Sequence, residues 1–522
     1  MSNITDYRSV YVRHIQSCYR CHPEAISFYD QLADYLQGCS GRRKSSLQEV
    51  QFFELTPLSS IDTYPKASPF VKAEPHGKQH GPRVGVLEGF PCPDFIAFLG
   101  AEFAVRPEFF IEHLPMSLKK RVTGGVYELP TLPSRNDNVV RVQFSCLIRS
   151  LSPYSDQLAG QTSKSMQQKR ADVEDARLKF EKGLIKSGKY GATHIRRIVV
   201  HDHDMCSIEG MISFTIATQY PHWHGIFLTD NGRMNMDQTG FPWSKTPRHD
   251  QPNGVVPLIP YNLPVERSAP VPVSPQADYG VSGYLDQFHP LKNIVFTDEV
   301  DAQLMQEDPF FLLATVLTTS FLSWSQTLNF LARSIAECQN QLRFDQNQLQ
   351  FQLGQLRQHV VTISRVKEIL SENEHIIKEG GCSSWPRAAS DSTLKRKSLI
   401  QRQLLADHTG IMQRCSLLID QCESATTVLV SFAQLVVSEK GIMNANEVNQ
   451  LTKMASIFIP MSFITGVFGM NVREWDPLPS WRWPFGTGIV LFCTTIFLLN
   501  RKRWLRKVAQ YLHMAHFTRK TR

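Results

Sequence analysis

The sequence predicts an α+β membrane protein, with a cytosolic α/β N-terminal domain, a long helical stalk of coiled-coil character and two C-terminal transmembrane helices. Three observations carry this reading. Residues 454–470 and 484–500 carry no charge. Each run, lengthened by its amphipathic flank, approaches the roughly 20 residues a helix needs to cross about 30 Å of hydrocarbon. Upstream, Leu342, Leu349, Leu356, Ile363 and Leu370 recur every seven residues, with Leu353 and Val360 at the other seam position, the spacing of a coiled-coil stripe. In the first half, short β-branched runs are separated by stretches with helical spacing. A pair of buried core helices is the other reading of the apolar runs. The cluster Arg501, Lys502, Arg503, Arg506 and Lys507 directly after the second run weighs against it, because such clusters anchor membrane helices.

The expected organisation is an α/β domain at 1–231, a proline-rich linker and loop at 232–307, and a helical hairpin and stalk helix at 308–453. The first span then covers 454–471, an outer loop 472–483, the second span 484–500 and a basic cytosolic tail 501–522. Within the first domain, residues 25–36 read as a helix. Residues 94–114 read as two helices, broken at Arg106 and Pro107. Residues 139–148 alternate as a strand should, and 198–200, 212–217 and 223–229 are similar short runs. Residues 163–186 are dense in charge and read as a solvated helix or a mobile insertion. Pro242, Pro247, Pro252, Pro257, Pro260, Pro264, Pro270, Pro272 and Pro275 stiffen the linker and remove backbone donors. Residues 380–386 break the heptad pattern. Helical character resumes near Asp391 and Ser392 and continues to Asn471, on the order of 120 Å at 1.5 Å per residue. A helix that long wants partners.

Composition narrows the function. The 522 residues carry a formal net charge of +8, and much of the excess lies in 501–522, where a membrane surface explains it better than nucleic acid. No patch interleaves aromatic and basic residues for base stacking. Eleven cysteines, an odd number without a framework, suit a reducing compartment. Cys18, Cys21 and His22 match the haem-attachment spacing, but no apolar export segment precedes them. The sequon at Asn3 is left unused on a cytosolic N-terminus. His201, Asp202, His203 and Asp204 place two imidazoles on one face if they continue a strand, and His222 with His224 do the same. Such pairs suit Zn²⁺ or Ni²⁺ more than Mg²⁺, and a polar strand end is the favoured reading. No phosphate-binding glycine loop, nucleophile elbow or metalloprotease helix is present, so neither enzyme activity nor a cofactor is expected.

Leu451, Thr452, Ala455, Ile457, Phe458, Ile459, Pro460, the run Gly466-Val467-Phe468-Gly469-Met470-Asn471, and Trp481 and Trp483 beyond it resemble the CorA superfamily of divalent-metal channels. That family's signature is Gly-Met-Asn at the outer end of the first of two C-terminal membrane helices. The close resemblance covers 446–507. A shorter likeness lies at 103–114, where Glu112 is kept and His113 replaces an acid.

The resemblance implies a homopentamer whose long helices form a funnel and line one central pore. Gly469, Met470 and Asn471 become the selectivity filter, with the Asn471 amides touching the metal through its hydration shell. Gly466, Ser462, Ile459, Ala455, Leu451 and Val448 become pore-lining positions. Glu474 and Asp476 attract cations at the outer mouth, although Arg473 sits beside them. The expected partners are a second copy of the chain, the lipid bilayer and divalent cations, Mg²⁺ first. Charge bias places both termini in the cytosol, and the plasma membrane is favoured. Two other functions stay open: a Zn²⁺, Ni²⁺ or Co²⁺ transporter of the same fold, and a non-conducting, membrane-tethered interaction protein.

Overall fold

The structure is a computed structural model that describes residues 2–19, 26–37, 50–54, 81–114, 138–149, 166–188, 190–202, 205–218, 222–232, 254–256, 258, 288–291, 299–340, 346–469, 486, 488–490 and 493–494. The chain divides into two units, Met1–Thr426 and Thr427–Arg522.

The first unit begins with helices α1 (Ser2–Tyr19) and α2 (Ile26–Gln37), then strands β1 (Val50–Glu54) and β2 (Arg83–Glu88). Helices α3 (Pro93–Glu102) and α4 (Pro107–His113) follow. Each starts on a proline, whose fixed φ and missing N–H suit a first helical turn. Strand β3 (Val139–Arg149), helix α5 (Met166–Ser187) and strands β4 (Arg197–Val200), β5 (Met205–Ala217), β6 (His224–Thr229) and β7 (Gly254–Val255) complete the α/β part.

The described strands form one sheet in the order β1-β2-β6-β5-β3-β7, with β4 paired to β5. Only the β2–β6 pair is parallel among them. One face packs on α1 to α4, where Tyr11, Ile15, Leu32, Ile96, Leu99, Phe109 and Phe110 cluster with Ile226 and Leu228. On the other face Phe144 stacks on Phe288, and Phe214 on Phe227, with ring centroids 4.1 and 4.3 Å apart. Gly210 lies opposite Phe144, and a Cβ there would meet that ring at 2.5 Å. Only glycine fits.

Four helices follow α6 (Glu299–Glu307): α7 (Phe310–Asn340), α8 (Gln346–Glu372), α9 (Glu374–Glu379) and α10 (Asp391–Phe468), the last 78 residues long. Helix α7 covers the open edge of β3. Ser320 and the Trp324 indole donate to the Gln143 carbonyl (2.5 and 2.9 Å), and the Ser145 amide donates to Ser323 Oγ (3.1 Å). Helix α9 ends in a Schellman turn: the Gly381 amide donates to Ile376 and the Gly380 amide to Ile377, both glycines having positive φ. The Arg387 guanidinium donates to the carbonyls of Glu379, Gly380 and Cys382. This turn is the break predicted at 380–386, and the helix restarts at Asp391 with the Ser390 hydroxyl accepting from the Thr393 amide (3.2 Å).

Several expectations need correction. The predicted strand at 212–217 begins seven residues earlier, because Gly210 and the polar residues around it mask the alternation. The charged stretch 166–187 is a helix with a buried side rather than a solvated one. Arg177 is buried, and donates to Glu174, Glu181 and the Ile195 carbonyl, so charges satisfied by one another pack inside. The linker 232–307 contributes a strand that pairs with β3 and a helix at its end. The heptad stripe of α8 is covered in part by the chain itself: Leu356, Ile363 and Leu370 are buried, beside His359 and Gln355, which bond Ser334 and Cys338 of α7, while Leu349, Leu353 and Val360 are half-buried. Leu342 lies outside the described residues.

A buried ion network ties α4, α5, β6 and the β4 lead-in together. Asp230 accepts from Arg196 Nε and Nη2 (2.5 and 2.9 Å) and from the Met211 amide (2.7 Å), with His194 Nδ1 at 3.3 Å. His113 Nε2 lies 3.5 Å from it. Burial pushes the Asp230 carboxyl up, but the Arg196 guanidinium and the two imidazoles outweigh this and hold it well below the usual carboxylate range. Burial pulls His194 down, and Asp230 and Glu181 reverse it to a net rise. The two groups act in different windows. The depressed Asp230 stabilises the fold above the unfolded carboxylate pKa of about 4, and this is lost as pH falls through its folded value. The raised His194 stabilises it below about 6.5, and this is lost as pH rises through its folded value. Asp230→Asn therefore destabilises the protein by about 3–5 kcal/mol at neutral pH and flattens the stability profile below pH 4. Denaturant unfolding across pH measures both, and an unchanged acid limb contradicts the assignment.

Candidate ion path

Helix α10 carries the predicted pore stripe. It runs without interruption through Pro460, which has no N–H to offer the carbonyl four residues back. The positions Val448, Leu451, Ala455, Ile459, Ser462, Gly466 and Gly469 are spaced by three and four residues, so an unbroken α-helix sets them on one side. Val448, Leu451 and Ile459 are 62, 69 and 66% exposed in the single chain. Ser462 and Gly466 are exposed as well, and nothing stands within 4 Å of a Cβ built on Gly466. The helix closes as the Gly469 amide donates to the Thr465 carbonyl (2.9 Å).

The hydroxyls of this segment turn inward on their own helix. Thr452 bonds the Val448 carbonyl, Ser456 that of Thr452, and Ser462 that of Ile459 (2.8, 2.7 and 3.0 Å). They lower the polarity of the stretch without charge. Other large apolar residues here are exposed too: Met454, Phe458, Met461 and Phe463. Apolar side chains thus face outward on several sides, not only along the stripe. Among the described residues no helix is long and apolar enough to cross a membrane. Met470, Asn471, Glu474 and Asp476 lie outside the described residues, as do Trp481 and Trp483. Of the second predicted span, residues 486, 488–490 and 493–494 are described, and they are helical.

Sequence reasoning missed the residues that hold the start of this helix. Asp308 is 1% exposed and accepts from Lys397 Nζ (2.6 Å), the Phe310 amide (3.0 Å) and the Ala388 amide (3.1 Å). Lys397 also lies over the Phe310 ring, 5.4 Å from its centroid. Burial lowers its pKa, and Asp308 opposes that only in part. Asp301 takes a two-pronged bond from Arg396 (2.6 and 3.0 Å). Glu307 accepts from the Ala389 amide (3.0 Å) and the Thr393 hydroxyl (2.8 Å). Burial pushes Glu307 up, and the hydrogen-bond donors around it together outweigh that, leaving it below the usual value. A signal was present in the sequence. Lys395, Arg396 and Lys397 sit in the first turns of α10, where the helix dipole disfavours cations, so acidic partners from elsewhere are required.

The described histidines of the two predicted groups sit at strand ends. Strand β4 stops at Val200, and His201 and Asp202 enter a tight turn whose amides both reach the Met205 carbonyl. His201 thus lies beyond the strand end, and its predicted companions His203 and Asp204 lie outside the described residues. His224 opens β6, packs against Phe103 and bonds the His222 carbonyl. Among the described residues no group of three metal-ligating side chains is present. Cys18 ends α1 against His14, and Cys21 and His22 lie outside the described residues. Glu112, kept from the likeness at 103–114, is buried with Arg141 3.3 Å away.

Residues 277–507 match the family model described as "CorA-like Mg2+ transporter protein". The "Cobalt/magnesium transport protein CorA" of Thermotoga maritima is 24% identical over 129 residues, 23% of this chain. The match spans 36% of that relative's length. Two solved structures align at low similarity. The CorA magnesium transporter from Methanocaldococcus jannaschii gives a TM-score of 0.39 at 13% identity, covering 87% of this chain and 98% of its own. The full-length CmaX protein gives 0.37 at 11% identity, covering 89% and 100%.

Asp308→Ala strands a buried ammonium and two amides, and is expected to destabilise the protein by about 3–5 kcal/mol. Lys397→Met costs less, because two amides still satisfy the carboxylate. Urea midpoints of the two variants check this, and equal midpoints for Asp308→Ala and the wild type contradict it.

Proposed function

We propose that the chain, which matches the CorA-like family model through residues 277–507, is a member of the CorA superfamily that conducts hydrated divalent cations, Mg²⁺ first, through a homopentameric membrane pore. The observation that carries this reading is the stripe on α10: small and apolar residues, exposed in one chain, on an uncharged helix end that leads into Gly469-Met470-Asn471. Five such helices side by side cover that stripe and turn the remaining apolar side chains to lipid.

The chemistry follows from the residue types. Mg²⁺ gives up its water reluctantly, so a ring of Asn471 amides serves it by hydrogen-bonding the hydration shell. Val448, Leu451 and Ile459 form apolar rings that close by dewetting. Ala455 and Gly466 leave width between them, and Ser462 supplies a hydroxyl. Gly469 and Met470 bring the backbone round to the filter, and Glu474 and Asp476 gather cations outside. The membrane potential drives the flow, releasing about 4.6 kcal/mol for two charges across 100 mV. Two spans place both termini in the cytosol, with the plasma membrane favoured. Cobalt is the second ion, because the Thermotoga relative is named for it. Zn²⁺ and Ni²⁺ belong in the same competition assay.

Asn471→Ala tests the reading in reconstituted vesicles loaded with a Mg²⁺ indicator. Five amides, each contributing about 0.5–1.5 kcal/mol of net hydrogen bonding, put the expected loss of flux at tenfold or more, while the pentamer persists by native mass spectrometry. Equal flux from the two proteins rejects the filter assignment. No flux from either one supports the non-conducting tether instead.

A further inference from the structure

Three buried polar atoms, on α5, just after β4 and on α8, have no hydrogen-bond partner: Arg170 Nη2, His201 Nδ1 and His359 Nδ1, and the Arg170 charge acts on both imidazoles. Both histidines are fully buried. Their ring centroids are 6.4 Å apart, with Phe330 on the far side of His201 at 5.2 Å. The other nitrogen of each ring is fixed: His201 Nε2 lies 2.9 Å from Ser207 Oγ, and His359 Nε2 lies 2.9 Å from Ser334 Oγ. Arg170 is held by its Nε, which donates to the Val200 carbonyl (3.1 Å). Unpaired polar groups at this depth are rare in folded proteins, and several at one spot point to an occupant.

The charges choose the occupant. Arg170 is the charged group acting on both imidazoles, and among the described residues no carboxylate offsets it there. Asp202, next to His201, turns its carboxylate to the Met205 amide (2.6 Å). The two His–Ser bonds fit either tautomer; in the one where the serine hydroxyls donate to Nε2, each ring carries its proton on Nδ1. The spot then presents donors and no acceptor, beside a fixed positive charge. A metal cation is excluded by that charge. A water molecule, which must itself donate, matches the opposite tautomers.

We propose that Arg170, His201 and His359 enclose a small inorganic anion of chloride size, which joins the sheet of the α/β body to helix α8. This assignment stands independently of the pore reading. The anion gives the guanidinium a counter-charge and both Nδ1–H groups an acceptor.

The probe is chloride itself, on the purified full-length protein. The ³⁵Cl resonance is expected to show an excess linewidth that saturates, that bromide competes away, and that drops to background in Arg170→Gln. The melting temperature is expected to be higher in sodium chloride than in sodium gluconate at equal ionic strength, with that difference also absent in Arg170→Gln. Wild-type protein with no excess linewidth overturns the proposal in favour of water. So does a full chloride response retained in both Arg170→Gln and His359→Phe. If the variants do not fold, bromide-soaked crystals of the wild type decide: an anomalous peak between the two imidazoles supports the site, and its absence refutes it.

Discussion

A buried lysine–aspartate pair fixes the first turns of a 78-residue helix. A rod of that length makes almost all its hydrogen bonds within itself, so its backbone does nothing to say where it should start or which way it should face. Asp308, Glu307 and Asp301 supply that information. They occupy the cations Lys397 and Arg396 and the loop amides of Ala388 and Ala389 at the point where the helix emerges. Asp308 and Glu307 each accept from more than one element, and Asp301 accepts both bonds from the Arg396 guanidinium. The junction is specific because removing the Asp308 carboxylate leaves a buried ammonium and two amides unpaired at once.

The body that holds this junction is built on a long central strand. Strand β5 is buried along nearly its whole length and pairs with three others, so the sheet has little choice of register. The outer edge of its neighbour β3 is closed by β7 at Ile148 and Arg149 and, around Gln143 and Ser145, by serine, threonine and tryptophan side chains of α7. Helix α7 in turn covers part of the seam of α8. The sequence's seven-residue repeat is thus consumed in part within one chain. What stays exposed is the later course of α10, from Leu435 onward, and there the apolar residues await other surfaces.

Much of this was legible from residue order. The break at Pro107 marked the start of a second helix within 94–114, the glycine pair at 380 and 381 marked a stop, and the β-branched runs marked four strands. The long helix was read to within three residues of its described end. What escaped had physical reasons. Strand β2 is six residues with a glycine inside, and β7 is two residues in a proline-rich stretch, so neither has a period to detect. Helix α5 reads as solvated because charge density is the same whether carboxylates and guanidinium groups face water or each other; only the fold brings Arg177 onto Glu181 and the Ile195 carbonyl. The acidic clasp spans about ninety residues in sequence. Of the ion path, the stripe on α10, Asn471 and the outer acids all come from resemblance; helical spacing adds only that the stripe's positions share one side, and Asn471 and the outer acids lie beyond the described residues.

The central claim is that one side of α10 faces a water-filled path for metal ions. Cysteine accessibility tests it most directly, in a background with Cys493 replaced and with Mg²⁺ flux as the readout. Thiol reagents are expected to block flux through Leu451→Cys, Ala455→Cys, Ile459→Cys and Ser462→Cys, and to leave it intact through Phe458→Cys and Phe463→Cys. Block that ignores this three-and-four spacing, or no block at any of the six, contradicts the account.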